Sequence, residues 1–197
     1  MIPSTLPTVF LPSILSTAVV GVLWIYVVYN NDIGLLNKIL IGLGLDDWIL
    51  PWLADERTAM LSILLTNAWQ WTGFYIVLVL AAIFSIPRDV YEAADIDGAT
   101  GFQKALFITV PLIRPILTVV ILLSIVGAMK ALDIVMVMTN GGPAGMTEVM
   151  ATYMYRVGFK NNEYGYANTI GLLIFIFTLV ITLINHFISK KLGEVEN

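Results

Sequence analysis

The sequence predicts an all-α, polytopic membrane protein, a helical bundle with about four transmembrane helices. Charged residues make up only 12% of the 197 residues, about half the share found in a soluble domain. Three stretches contain no Asp, Glu, Lys or Arg: 1–31, 58–87 and 164–189. Each is long enough for the roughly 20 residues with which a helix crosses a bilayer core. The apolar runs do not alternate as barrel strands do, so helices are predicted.

The whole chain, 1–197, is expected to form one transmembrane domain. Its predicted spans are roughly 7–29, 60–86, 112–137 and 166–188. Between the first two, a short interfacial helix is expected because apolar residues recur at helical spacing at Leu35, Leu36, Ile39, Leu40 and Leu43. Lys and Arg divide five against five between the two predicted membrane sides, so the positive-inside rule does not orient the chain. Only Lys190 and Lys191, adjacent at a helix end, mildly favour a cytoplasmic tail.

The polar segment 87–111 lies between the second and third spans and predicts two short helices joined by a turn. Gly98 would supply the turn, because glycine adopts backbone conformations closed to other residues. Thr100 and Gln103 have the spacing of a capping box at the start of the second helix. Pro111 is expected to end that helix. Such helices are too short and polar to cross lipid, so they would lie on the membrane surface or project as a docking element.

The residues of this segment resemble the EAA motif of ABC importer permeases, whose pattern is E-A-A-x3-G-x9-I-x-L-P. The matching residues are Glu92, Ala93, Ala94, Gly98, Ile108 and Pro111. Val110 stands where the motif has leucine. The stretches WQWTGFYIVLVLAAIFSIPRDVYEAADIDGA and MTNGGPAGMTEVMATYMYRVGF are similar to the sugar-type branch of the family. The resemblance implies the ABC importer permease fold, with the first two spans of relatives having no counterpart before Met1.

The resemblance also implies a function and a set of partners. In the family, this segment is a coupling helix that fits into a cleft of the cytoplasmic ATPase subunit. The residues implied in ATPase coupling are Glu92, Ala93, Ala94, Asp97, Gly98, Phe102, Ile108 and Pro111. The implied partners are a second homologous permease, an ABC ATPase dimer, an extracytoplasmic binding protein and a sugar, in the inner membrane of a prokaryote. The sequence has no G-x-x-x-x-G-K-[ST] phosphate loop, so the chain is expected to be no enzyme, to hold no cofactor, and to leave ATP and Mg²⁺ to the ATPase.

Two stripes of residues are candidates for the lining of a substrate cavity, where the resemblance places the cavity of the maltose-type permease. The second span offers Asn67, Gln70, Trp71 and Phe74, spaced along one helical face. The third span offers Ser124, Gly127, Ala128 and Ala131. Amides can bond sugar hydroxyls, and flat rings can cover the apolar face of a pyranose. The alternative for both stripes is helix–helix packing, in which polar and small side chains also serve.

Other functions receive less support from the residues. A net charge of −4 offers no basic surface for nucleic acid, and the chain has no cysteine. The single histidine, His186, is expected at the membrane interface, so no metal site is predicted. Lys130 and Asp133 would form an interfacial pair or contribute to a gate. An intramembrane enzyme would need clustered His, Asp or Ser residues inside the spans, and only one His and one deep-lying Asp are present. An importer permease for another small solute, or a truncated remnant without transport activity, stays open.

Overall fold

The structure is a computed structural model that describes residues 6–193, with the side chains of 7–185 and of Phe187. Every regular element in this part is helical, as predicted. The α-helices are α1 (Leu6–Ile14), α2 (Thr17–Leu23), α3 (Leu35–Gly42), α4 (Ala59–Phe84), α5 (Arg88–Ile96), α6 (Gly101–Lys104), α7 (Val110–Met129), α8 (Leu132–Met138), α9 (Met150–Tyr155) and α10 (Tyr164–Gly193). The side chains of His186, Lys190 and Lys191 lie outside the described part, so the predictions for them stay untested.

Short π-helical turns follow three of the helices. They are Trp24–Val28 after α2, Ala105–Thr109 after α6 and Arg156–Lys160 after α9. By length and composition, three helices of the described part can cross a membrane: Ala59–Phe84, Gly101–Met129 and Tyr164–Asn185. A fourth crossing results if α1 and α2 together count as one broken span. The predicted spans 60–86 and 166–188 therefore coincide closely with α4 and α10, and α3 is the short helix expected after the first span.

The first predicted span, 7–29, is bent rather than continuous. α1 and the helix formed by α2 with its π turn meet at 103°. Ser16, between them, has φ −59° and ψ 135°, an extended conformation that no continuous helix contains. No charged residue marks this break, so the long uncharged run predicts a single span.

The third predicted span, 112–137, belongs to a helix that begins at Gly101 and is continuous to Met129. The prediction that Pro111 ends the preceding helix is therefore wrong. A π turn lies directly before this proline, and its closing bond joins the N–H of Val110 to the carbonyl of Ala105. The wider turn changes the hydrogen-bond register at the point where proline cannot donate, so the helix passes through.

The predicted span 112–137 is interrupted just beyond Met129. Lys130 and Ala131 separate α7 from α8, and Ala131 has φ −71° and ψ 58°, outside the helical region. The predicted third span therefore contains the end of α7, a break and most of the short helix α8. Residues 112–137 do not form one straight rod.

Contacts divide the chain into two compact units. The larger unit comprises 1–73 and 128–176, and the smaller comprises 74–127 and 177–197. The core of the larger unit is formed by Tyr29, Ile63, Ile134, Val135 and Met138. In the smaller unit, the amide of Asn185 on α10 donates a 3.1 Å hydrogen bond to the carbonyl of Thr118 on α7. Polar side chains therefore join neighbouring helices in this unit, as they do in membrane bundles.

Candidate functional site

α5 ends in a turn that requires glycine, as predicted at Gly98. Gly98 has φ +74°, a left-handed conformation that costs other residues roughly 1–2 kcal/mol. Its N–H donates to the carbonyl of Asp95 at 3.1 Å, and the N–H of Ala99 donates to the carbonyl of Ala94 at 3.0 Å. This pair of bonds is the Schellman motif. No atom lies within 4 Å of the place of a Cβ at Gly98, so backbone conformation alone demands the glycine.

The capping box predicted at the start of α6 is present. The N–H of Gln103 donates to the hydroxyl of Thr100 at 3.4 Å, and the N–H of Thr100 donates to Oε1 of Gln103 at 2.8 Å. These bonds satisfy donors that the first turn of a helix leaves open. The turn at Gly98 and this cap together fix where α5 stops and α6 starts.

The residues predicted to couple to an ATPase fall into two groups. Those with exposed side chains or backbone are Glu92, Ala93, Asp97, Gly98 and Phe102. The remaining three, Ala94, Ile108 and Pro111, are buried or half-buried. Phe102 is 77% exposed, and Glu92 and Asp97 are exposed carboxylates of the same segment. The structure thus supplies a surface of mixed acidic and apolar character, and the part that each residue plays in coupling stays a prediction.

Ile96 belongs to the same exposed surface and was missed by sequence reasoning. Its side chain is 88% exposed, an unusual place for a large apolar residue on a polar helix. Ile96 lies four residues after Glu92, so both face the same side of α5. An apolar residue on an acidic helix face was the signal that the sequence offered.

Gln70, a predicted cavity residue on α4, is fully buried and bonded to the bend between α1 and α2. Its Nε2 donates to the carbonyl of Leu15 at 3.1 Å and to the hydroxyl of Thr17 at 3.3 Å. Its Oε1 is buried without a hydrogen-bond partner in the described residues. Helix packing, the alternative considered for this stripe, is therefore what Gln70 does here. A contact with substrate stays a prediction.

The other three members of the α4 stripe are more accessible than Gln70. Trp71 is 36% exposed, while Asn67 and Phe74 are half-buried. The ring of Phe74 packs edge-to-face on that of Tyr75, with centroids 5.4 Å apart. The four residues of the α4 stripe therefore do not share one environment. The amide of Gln70 is bonded to the α1–α2 bend, whereas Trp71 has exposed surface.

The stripe predicted on the third span consists of small, mostly accessible residues. The hydroxyl of Ser124 donates to the carbonyl of Val120, one turn earlier, at 2.8 Å. Gly127 and Ala128 are exposed, and Ala131 lies at the helix break, against the core of the larger unit. A substrate role for all four stays a prediction.

Lys130 and Asp133, expected to pair or gate, lie at this break. Both side chains are exposed. No ion pair joins them, and the ion pairs found between described residues are elsewhere. The expected pairing is therefore not seen, because the break between α7 and α8 replaces the regular helical turn that would have placed these residues side by side.

A cleft of about 520 Å³ opens in the larger unit. Its walls come from Ile25 in the π turn after α2 and from Tyr29 directly after that turn, from Leu53, and from the glycine-rich turn at 139–143. None of the eight residues predicted to line a cavity contributes to it. Among the described side chains, those of 7–185 and Phe187, no group of three or more Asp or Glu residues could hold a metal ion.

A polar surface between α8 and α10 was also missed by sequence reasoning. The guanidinium of Arg156 donates to both carboxylate oxygens of Glu148, at 2.8 and 2.6 Å, and lies 5.2 Å from the ring centroid of Tyr153. The hydrogen bonding of the Arg156 guanidinium to the Glu148 carboxylate raises the pKa of Arg156. A forked pair of this kind fixes the plane of the guanidinium, so it gives this surface a defined shape.

Comparison with known proteins places the chain beside transport components. A family model described as "Binding-protein-dependent transport system inner membrane component" matches residues 1–194. The probable ABC transporter permease protein YurN of Bacillus subtilis is 36% identical over 174 residues, covering 88% of this chain and 59% of that protein. The arabinooligosaccharides transport system permease protein AraP of the same species is 34% identical, covering 89% and 56%. The diacetylchitobiose uptake system permease protein NgcF of Streptomyces coelicolor is 34% identical, covering 95% and 53%. The chain therefore spans 53–59% of the length of these relatives.

A solved structure shares the arrangement of helices. It is the crystal structure of a bacterial alginate ABC transporter in complex with an alginate pentasaccharide-bound periplasmic protein. One of its chains matches with a TM-score of 0.85 and 27% identity, covering 95% of this chain and 65% of that one. The overall arrangement of helices in this chain therefore also occurs in an experimental structure.

Proposed function

The chain belongs to the family of binding-protein-dependent transport system inner membrane components, and on this premise we propose that it is the permease subunit of an ATP-driven sugar importer. The ABC importer permease fold predicted from the sequence is confirmed by the match to the alginate transporter. The family consists of transport components rather than enzymes, and several apolar helices of membrane length agree with it. The proposal concerns the direction of transport, the energy source, the partners and the cargo.

The observation that carries the proposal is the polar segment between two membrane-length helices. The helix Gly101–Met129 has 29 residues, about 43 Å at 1.5 Å per residue, whereas the hydrocarbon core is about 30 Å thick. The helix is therefore longer than the hydrocarbon core, and in this proposal its first turns lie outside the lipid. There they present Phe102 and, through α5, Glu92 and Ile96 to a water-soluble partner.

In this proposal the partner is a cytoplasmic ABC ATPase dimer, which binds ATP and Mg²⁺. Closure of the dimer on ATP displaces α5 and α6, and the spans change between inward-open and outward-open arrangements. ATP can shift this equilibrium only by its differential affinity for the two arrangements. In this proposal the ATPase contacts Glu92, Ile96 and Phe102, so its ATP-driven movement acts on the membrane domain at these residues.

The side of the membrane on which each loop lies then follows from the number of times the chain crosses the membrane. With 87–111 in the cytoplasm, the helix Gly101–Met129 carries the chain to the outer side, so 130–163 would lie there. The surface around Glu148 and Arg156 would face an extracytoplasmic binding protein. A second homologous permease would complete the pore in the inner membrane of a prokaryote.

The proposed cargo is an oligosaccharide or a sugar derivative. Two relatives are named for arabinooligosaccharides and diacetylchitobiose, and the solved structure is of an alginate transporter in complex with a periplasmic protein that binds an alginate pentasaccharide. These are chemically different saccharides, so they support the class of cargo and not one sugar.

Uptake by the assembled transporter tests this function. We expect proteoliposomes containing this chain, its partner permease, the ATPase and the binding protein to accumulate at least one of four labelled probes: an arabino-oligosaccharide, diacetylchitobiose, maltose or an alginate oligosaccharide. Accumulation should require ATP on the ATPase side and should stop when ATP is replaced by a non-hydrolysable analogue. Uptake of a labelled amino acid, with none of the four saccharides transported, would contradict the proposed cargo class.

A further inference from the structure

Four side chains tie the two arms of the polar segment together. The hydroxyls of Tyr91 on α5 and Thr109 in the π turn are 2.9 Å apart, and Thr109 also donates to the carbonyl of Lys104 at 3.3 Å. The ammonium of Lys104 pairs with the carboxylate of Asp95 on α5. Two side-chain contacts, Tyr91–Thr109 and Asp95–Lys104, therefore join α5 to the following helix, and the backbone carbonyl of Lys104 links one contact to the other. These four residues are named here the brace.

The brace depends on the π-helical turn. Lys104 and Thr109 are five residues apart, and in an α-helix such residues point about 140° away from each other. A π turn closes its hydrogen bonds between residues five apart, so it brings positions 104 and 109 onto the same side. Tyr91 and Asp95 are four apart on α5 and share a face. The turn Ala105–Thr109 therefore sets the register in which both contacts can form at once.

Three of the four brace residues are shielded more than the surface offered to the ATPase. Tyr91, Lys104 and Thr109 are half-buried and Asp95 is exposed, whereas Ile96 and Phe102 are 88% and 77% exposed. One side of α5 is thus free for a partner while another side is bonded to the helix that continues as α7. Movement of a partner bound to the exposed side of α5 would be transmitted to α7 through the contacts on the other side.

We propose that the brace of Tyr91, Asp95, Lys104 and Thr109 makes α5 and the helix Gly101–Met129 move as one body, so that movement of the ATPase reaches α7. The inference rests on the proposed function, since it concerns the transmission of ATP-driven movement. Tyr91 and Thr109 are positioning residues, because they hold α5 in place and do not themselves form the exposed surface. Without the brace, α5 could follow the ATPase while the membrane helix lags behind.

Hydrogen exchange in the assembled transporter tests the brace without a transported sugar. The variants are Tyr91→Phe, Thr109→Val and both together, each of nearly unchanged size. In the wild type, ATP with vanadate should change amide exchange both in α5 and at the far helix break, 129–132. In each variant we expect the response at 129–132 to fall by about two- to twelvefold, the effect of losing one hydrogen bond, while α5 still responds and the ATPase still co-purifies.

The double variant distinguishes a brace from two separate local effects. Both single substitutions remove the Tyr91–Thr109 bond, and Thr109→Val also removes the bond from Thr109 to the carbonyl of Lys104, so the double variant should resemble Thr109→Val instead of adding the two effects. Tyr26→Phe and Thr118→Val are matched controls: Tyr26 is 64% exposed, and the hydroxyl of Thr118 bonds only within its own helix, to Arg114. A wild-type response at 129–132 in the Tyr91→Phe and Thr109→Val variants would overturn the inference. Failure of the wild-type chain to assemble with an ATPase would overturn the proposed function, and the brace with it.

Discussion

Replacing Gly98 with proline is expected to abolish association with the ATPase while leaving the chain inserted in the membrane. Proline fixes φ near −65°, whereas Gly98 has φ +74°, so the turn after α5 cannot form. The substitution also removes the N–H that bonds to Asp95. In addition, proline disfavours the helical conformation of Asp97 before it, which has φ −72° and ψ −2°. If the substitution destabilises the native turn by about 3 kcal/mol or more, the fraction of molecules in which the segment has its native shape falls about a hundredfold.

Co-purification of the ATPase with the tagged chain measures this loss, and Gly101→Pro is the matched control. Gly101 is the first residue of α6, the helical position where proline is favoured. Thr100 before it has φ −69° and ψ 161°, a conformation compatible with a following proline. We therefore expect Gly101→Pro to retain the ATPase. Wild-type recovery of the ATPase with Gly98→Pro would show that the shape of this turn does not matter for assembly.

Reversing the charge of Glu92 is expected to weaken association with the ATPase by about a hundredfold, since like charges brought together across an interface cost several kcal/mol. Segment 88–104 holds four acidic residues, Asp89, Glu92, Asp95 and Asp97, against the two basic residues Arg88 and Lys104. Asp95 and Lys104 neutralise each other, which leaves an acidic excess on the exposed side. A partner that fits this surface must be basic, so Glu92→Lys would place two positive groups together.

The binding of purified ATPase to the chain in nanodiscs, titrated at two salt concentrations, measures this effect. We expect the wild-type affinity to fall as salt rises, because salt screens attraction between exposed charges. Glu92→Lys should bind weakly at both concentrations. The control is Glu56→Lys, which makes the same change at an exposed residue outside the segment. Equal affinities for the Glu92→Lys and Glu56→Lys variants would show that the carboxylate of Glu92 is not part of the contact.

The parts of the fold that the sequence predicted well are those determined by neighbouring residues. The turn at Gly98 and the cap formed by Thr100 and Gln103 involve hydrogen bonds over a few residues, so their residue types and spacing identify them. The spans α4 and α10 were predicted because a long uncharged run leaves a helix across lipid as its simplest structure.

The parts that the sequence did not predict depend on distant contacts or on exact backbone geometry. The partner of Gln70 is Leu15, 55 residues away, and no periodicity within α4 indicates that contact. The helix continues through Pro111 because a π turn precedes it, and residue propensities do not distinguish a π turn from an α-helical turn. The brace between Tyr91 and Thr109 follows from the same turn, so sequence reasoning missed it as well.

Determining on which side of the membrane the polar segment 87–111 lies tests the proposed function most directly. The chain has no cysteine, so single substitutions Ile96→Cys and Met146→Cys, at side chains 88% and 54% exposed, can each be labelled with a membrane-impermeant maleimide. If an ATPase moves this segment, Ile96→Cys will react only in inside-out vesicles and Met146→Cys only in intact spheroplasts. Labelling of Ile96→Cys in intact spheroplasts would put the segment out of reach of any cytoplasmic ATPase and contradict the proposed mechanism.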